Sequence, residues 1–295
     1  MAEVECLWEL QAQLGEGPLW VGEHGMLLFV DIERARLHAY RPGDGQRRSW
    51  DLSEACCWLV PRVDGDGFLA GLRSRIVHLR LDGDGPTVVE DWVRPEAHLP
   101  GNRFNDGKAD AHGRVWAGTM DNAERAASGS LYRIDGRRVA AVDAPYGIAN
   151  GPAFSPDGRT LYHTDTATRT IYAFDCGADG TLHGKRVHLR LQPDEGYPDG
   201  MCCDADGGLW VAHFGGGCVS RFDPAGRLQQ RIALPASQVT SCAFGGPQLR
   251  DLYITTARRG RDDEPLAGAL LRVRPGVAGL PPGRFGSATQ PAAES

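Results

Sequence analysis

Four oxygen-bearing side chains recur at similar distances ahead of a strand-like segment. Glu16 lies 13 residues before Phe29, Asn105 lies 11 before Trp116, Asn150 lies 12 before Tyr162 and Asp199 lies 11 before Trp210. Residues that keep one phase of a repeating fold converge in space. Two carboxylates and an amide oxygen are a hard donor set, suited to Ca²⁺, Mg²⁺, Mn²⁺ or Fe²⁺, and carboxylates brought close together repel without a cation between them. The competing reading is local. Asn105-Asp106-Gly107, Asn150-Gly151 and Asp199-Gly200 are turn sequences wherever they occur, and Glu16-Gly17-Pro18 could simply open a strand. Glu16 is ill suited to a turn, and four residues in phase favour convergence over coincidence.

The elements that set this phase repeat six times. Leu27–Asp31, Gly67–Gly71, Arg114–Gly118, Thr160–Thr164, Gly208–Ala212 and Asp251–Thr255 look like copies of one strand, their centres separated by 40, 47, 46, 48 and 43 residues. Tight turns such as Asp64-Gly65-Asp66-Gly67 and Asp204-Ala205-Asp206-Gly207 precede several copies, and a further alternating segment follows most of them. A period of this length with several short strands per unit is the signature of propeller blades. The expected fold is therefore all-β, a six-bladed β-propeller formed as one domain by residues 1–285. The recurring segments are read as inner strands lining a channel, with Val4–Leu10 completing the last blade. A β-sandwich or two smaller β-domains is the alternative, but no linker divides the chain and the repeat crosses its midpoint unchanged. The small, polar tail Gly286–Ser295 is expected to be disordered.

Composition narrows the partners. The 295 residues carry a net charge of −6 with no long basic run, so the electrostatic footprint of a nucleic-acid or anionic-membrane partner is missing. A small neutral or polar ligand fits better. With no signal-peptide pattern and no apolar stretch of membrane-spanning length, the expected location is cytoplasmic. The eight cysteines form no C-x-x-C motif, which reads as free, mostly buried thiols.

The segments Leu14–Trp20, Arg103–Lys108, Gly118-Thr119-Met120, Ile148–Gly151, Ser155–Gly158 and Tyr197–Gly200, in this order, resemble the SMP-30/gluconolactonase/regucalcin family. The stretch from Phe244 to Arg258 is most similar to its bacterial sugar-lactonase branch, which includes pentonolactonases. The resemblance implies that Glu16, Asn150 and Asp199 bind one divalent cation (Ca²⁺, Mn²⁺, Mg²⁺, Fe²⁺ or Zn²⁺). It also implies that Asp199 doubles as general base and that Arg103 and Asn105 contact a sugar lactone. After Gly118-Thr119-Met120 the family often carries an acidic residue that touches the sugar. Here the position nearest that role is Ala123, leaving Asp121 and Glu124 as candidates.

The expected reaction is attack of water on a lactone carbonyl, with charge on the developing oxyanion met by the cation and by Arg103. No G-x-S-x-G motif supports a serine esterase. His163 and His213 are read as structural, and Trp20, Phe104, Tyr146 and Phe214 as pocket walls or gap fillers between blades. Two non-catalytic readings compete: an interaction propeller, and a calcium-binding regulator without significant turnover.

Overall fold

The computed structural model describes residues 3–286. Six four-stranded antiparallel sheets stand around one axis, and no α-helix occurs among the described residues. The innermost strands are Gly15–Val21, Cys56–Pro61, Asn102–Ala109, Ala149–Phe154, Tyr197–Cys203 and Val239–Gly245, in blades 1 to 6. Each packs against the innermost strand of the next blade, and the last packs against the first, so the ring is closed.

The N-terminal strand Val4–Trp8 forms the outer edge of blade 6, pairing antiparallel with Leu270–Val273. Leu7, buried beneath that edge, packs with Trp20, Phe29 and Tyr253. Blade 6 thus contains both ends of the repeat, and its inner strands come from the far end of the chain.

One expectation needs correction. The recurring segments are the second strand of each blade, one layer out from the channel. They dominate the sequence pattern because they are buried along nearly their whole length. The strands that line the channel precede them and carry the polar residues.

Tight turns between first and second strands are fastened by aspartates. Asp110 Oδ1 accepts from the N–H groups of His112 and Arg114, while its Oδ2 accepts from Arg114 Nε at 2.7 Å and from the indole of buried Trp116 at 2.9 Å. Asp204 does the same for Asp206, Gly208, Arg221 and Trp210. In both blades one buried carboxylate fixes a hairpin and a core tryptophan together, with its charge matched by an arginine.

The segment Gly279–Gly286 crosses the end of the ring where the innermost strands finish. It leaves blade 5 through the bridge between Gly279 and Asp204 and blade 6 through Gly279 N–H to Leu249 O, and reaches blades 2 and 3 through Phe285 N–H to Pro61 O and Gly286 N–H to Gly113 O. Between this segment and the channel lies a cavity of about 780 Å³, bordered by Gly17, Trp58, Asp106, Lys108 and Cys202. Gly286 is held in place; the rest of the tail expected to be disordered falls outside the described residues.

Trp58 joins blades 2 and 3. A methyl group at Gly71 would lie 2.2 Å from its ring, and one at Gly107 would lie 2.8 Å from it on the neighbouring blade. Gly71→Ala is expected to lower stability by about 1–3 kcal/mol through overpacking, read as a lower urea midpoint with an unchanged slope. A midpoint equal to that of the parent would show that Trp58 is free to move aside.

Candidate functional site

A regular strand sends successive side chains to opposite faces, so six strands around an axis do not by themselves aim chosen residues at one point. Here every innermost strand carries a β-bulge. One extra residue is inserted between Glu16 and Leu19, Cys56 and Trp58, Phe104 and Gly107, Asn150 and Ala153, Pro198 and Met201, and Val239 and Ser241. Bulges redirect side chains locally, and six in phase turn one position of each blade toward the axis. At two of them the next residue is a glycine at positive φ, Gly17 at 56° and Gly151 at 66°. Its N–H turns back onto the preceding side chain, at 3.0 Å from Glu16 Oε2 and 3.0 Å from Asn150 Oδ1.

Glu16, Asn150 and Asp199 are all buried. Asn150 Nδ2 donates to Asp199 Oδ1, joining blades 4 and 5. Thr166 steadies the pair, its hydroxyl lying 3.4 Å from Asn150 Nδ2 and donating to Pro198 O at 2.7 Å. Burial, with the Asp106 carboxylate close by, pushes Glu16 up from 4.5 to about 8. Burial, Glu16 and Asp106 likewise hold Asp199 well above the usual carboxylate range, against the opposing pull of Asn150 and Arg103. Asp106 accepts from Gly107 N–H at 2.7 Å through Oδ1, while its buried Oδ2 has no protein partner.

This donor set fits a hard divalent cation. Two carboxylates with raised proton affinity and an amide are gathered where water is scarce, and a positive charge among them would relieve their repulsion. The Asn150 oxygen, which accepts from Gly151 N–H, keeps a second lone pair for a cation while its Nδ2 stays on Asp199. Among the described residues, no group of three or more His, Cys, Asp and Glu side chains is arranged to hold a metal. The amide and solvent would have to complete the shell.

Residues 14–258 match the family model of the SMP-30/Gluconolactonase/LRE-like region. The chain belongs to this family. A 6-deoxy-6-sulfogluconolactonase from Pseudomonas putida is 37% identical over 94% of this chain and 96% of its own. A regucalcin from Danio rerio is 36% identical over 95% of this chain and 97% of its own. Among solved structures, a calcium-binding protein, regucalcin, from Agrobacterium tumefaciens superimposes with a TM-score of 0.90 at 28% identity, covering 97% of this chain and 98% of that one.

The other positions suggested by the family resemblance divide clearly. Arg103 and Asn105 are buried beside the carboxylates: Arg103 Nη1 donates to Asn105 Oδ1 at 2.7 Å, and Asn105 Nδ2 donates to Ala149 O at 3.1 Å across the seam to blade 4. Asp121 is engaged elsewhere, its carboxylate accepting from the N–H groups of Ala123, Arg125 and Ala126 and so shaping its own loop. Glu124 meets Arg259 of blade 6 at 3.1 Å. His163 is fully buried against the Tyr146 ring and pushed down to about 3 by burial, and His213 Nδ1 is 2.9 Å from Glu195 O. Both lie on second strands, one layer out from the channel. Trp20 stacks on Tyr253 at the opposite end of the channel, Phe104 packs on Trp58 and Tyr146 fills the core of blades 3 and 4. Phe214 is half-buried at the end of its strand, paired with Tyr197.

Two members of the ring were missed. Cys57 and Thr240 occupy the bulges of blades 2 and 6, lying 12 residues before Leu69 and 13 before Tyr253. The phase that singled out the other four marks them too. Burial pushes the Cys57 thiol up to about 11 against the pull of the Arg103 guanidinium beside it. Thr240 donates to Gly15 O at 2.5 Å, tying blade 6 to blade 1.

The raised Glu16 carboxyl has a measurable consequence. Without a divalent cation the folded protein holds a proton that the unfolded chain releases near 4.5, so that stability is fully present below this pH and is lost as pH rises through about 8. The urea midpoint of chelator-treated protein is expected to fall between pH 5 and 8.5, and to fall less in Glu16→Gln. A flat profile in the parent would remove the case for a carboxyl strained by burial.

Proposed function

We propose that this protein hydrolyses a sugar lactone, an aldono-1,4- or 1,5-lactone such as xylono-, arabinono- or gluconolactone, to its aldonic acid. One divalent cation would be held by Glu16, Asn150 and Asp199. The observation that carries this reading is the convergence of two buried, mutually repelling carboxylates and an amide at one mouth of the propeller. Membership of a family with relatives named as lactonases supports the same reaction class. When bound, a divalent cation polarises a lactone carbonyl and lowers the pKa of water.

The chain's own residues supply the rest. Asp199 is buried within the site with one oxygen engaged by Asn150. A neighbouring positive charge favours its ionised form, and its second oxygen can then take the proton of the attacking water. Arg103, fixed by Phe104 O and Asn105, aims its guanidinium at the edge of the same site. It can donate to a sugar hydroxyl or to the oxyanion that forms as water adds. Asn105 holds Arg103 in that position and keeps its amide in line with blade 4.

Relatives named regucalcin, and a solved neighbour described as calcium-binding, favour a second reading in which the cation is bound without turnover. The two readings part in a pH-stat assay of chelated protein, with Ca²⁺, Mn²⁺, Mg²⁺, Fe²⁺ or Zn²⁺ restored, across pentono- and hexonolactones. Metal-dependent acid release supports hydrolysis. A rise in melting temperature with metal and no turnover on any lactone supports the regulator.

Asp199→Asn separates base from ligand. It keeps the size and one carbonyl oxygen, so it is expected to lower kcat about 10²- to 10⁴-fold at saturating metal, after subtraction of spontaneous opening. The melting temperature should change little. Activity within a few-fold of the parent would rule out Asp199 as the base.

A further inference from the structure

Below the carboxylates, the channel wall holds a second group of reactive side chains that lactone hydrolysis does not use. Cys202, on the innermost strand of blade 5, and Cys242, on that of blade 6, bring their Sγ atoms to 3.8 Å across the seam between the blades. They are 40 residues apart in sequence, so the ring makes this contact. Cys242 is fully buried, its Sγ 3.8 Å from Trp210 O. Cys202 is half-buried and borders the 780 Å³ cavity. Lys108 arrives from blade 3, its ammonium donating to the carbonyl of Met201 and standing within electrostatic reach of both sulfurs. Cys203 turns the other way, into the core shared by blades 4 and 5, as alternation along a strand requires.

We propose that Cys202 and Cys242 are an oxidation site, at which a peroxide entering the cavity forms a disulfide that staples blade 5 to blade 6. The Cys202 thiolate, its proton lost to solvent, attacks one peroxide oxygen and breaks the O–O bond. With hydrogen peroxide the departing hydroxide takes up a proton and leaves as water, and the sulfur becomes a sulfenic acid. The Cys242 sulfur, giving up its own proton, then attacks that sulfur and displaces its oxygen as a second water. Two thiols and one hydrogen peroxide thus yield one disulfide and two waters, the peroxide accepting both electrons. The sulfurs must close from 3.8 Å to the roughly 2.05 Å of an S–S bond. Cys202 is reachable and Cys242 is sheltered, which fits the first for the attacking role and the second for the resolving one.

The staple would cross the seam three residues beyond Asp199 on the same strand and would constrain the unfolded chain. The purified full-length protein, before and after hydrogen peroxide, would be denatured for thiol counting, digested for mass spectrometric mapping and melted in parallel. The count is expected to fall from the eight cysteines of the chain to roughly six as one pair is consumed. One linked peptide pair should join Cys202 to Cys242, and the melting temperature should rise by a few degrees. A thiol reductant should reverse all three changes. Cys242→Ser should give no linked pair and leave a sulfenic acid at Cys202 that dimedone traps. Retention of all eight thiols, irreversible overoxidation alone, or linkage between other cysteines would each overturn the proposal. Mapping of the unaltered chain keeps the test independent of whether the variant folds.

Discussion

Like charges are held together out of water at the mouth of this ring, and much of the architecture exists to make that tolerable. Removing a carboxylate from water costs several kcal/mol even after relaxation, and here Glu16 and Asp199 share the space with Asp106. The Gly17 N–H and the Asn150 amide offset part of that cost. The remainder falls on the seams. Asn105 to Ala149 O, Asn150 to Asp199, Thr166 to Pro198 O and Thr240 to Gly15 O join neighbouring blades, and most of these contacts are made by bulge residues. The polar groups that create the strain also hold the blades that withstand it.

Much of this could be read from the chain, and the parts that could not have physical reasons. The buried second strands repeat plainly because Phe29, Trp116, Tyr162, Trp210 and Tyr253 fill equivalent places in successive blades. Their strength misdirected the assignment of the channel wall. The strands that line it are broken by bulges, and a bulge interrupts the alternation that marks a strand in sequence. Glu16, Asn150 and Asp199 stood out because oxygen-bearing residues are conspicuous at a regular interval. Cys57 and Thr240 keep the same interval but are residue types common in any core. Asp106 is hidden inside a turn sequence, where a carboxylate needs no special explanation. Asp121 shows the opposite difficulty, since its position beside a telling motif says nothing about the three backbone N–H groups that occupy its oxygens.

The channel has two unlike ends. At one, polar side chains converge from four of the six blades through Glu16, Asn105, Asn150 and Asp199. At the other, Gly279–Gly286 lies across the opening and encloses a cavity bordered by Trp58 and the thiol of Cys202. Lys108 spans the boundary: it belongs to the strand that bears Arg103, Asn105 and Asp106, yet its ammonium points down to Met201. Asp106 borders the cavity and also faces Glu16 and Asp199, so a substitution there bears on both ends.

The strand that completes the ring is made first and used last. Glu5 meets its partner Arg272 at a sequence separation of 267. At ordinary rates of synthesis Val4–Trp8 waits roughly 15 to 50 s for that partner to emerge from the ribosome. During this interval it is an unpaired edge, the kind of segment that recruits other chains into aggregates. Glu3, Glu5 and Glu9 lie within and beside it. Their charges discourage such pairing while the chain is incomplete.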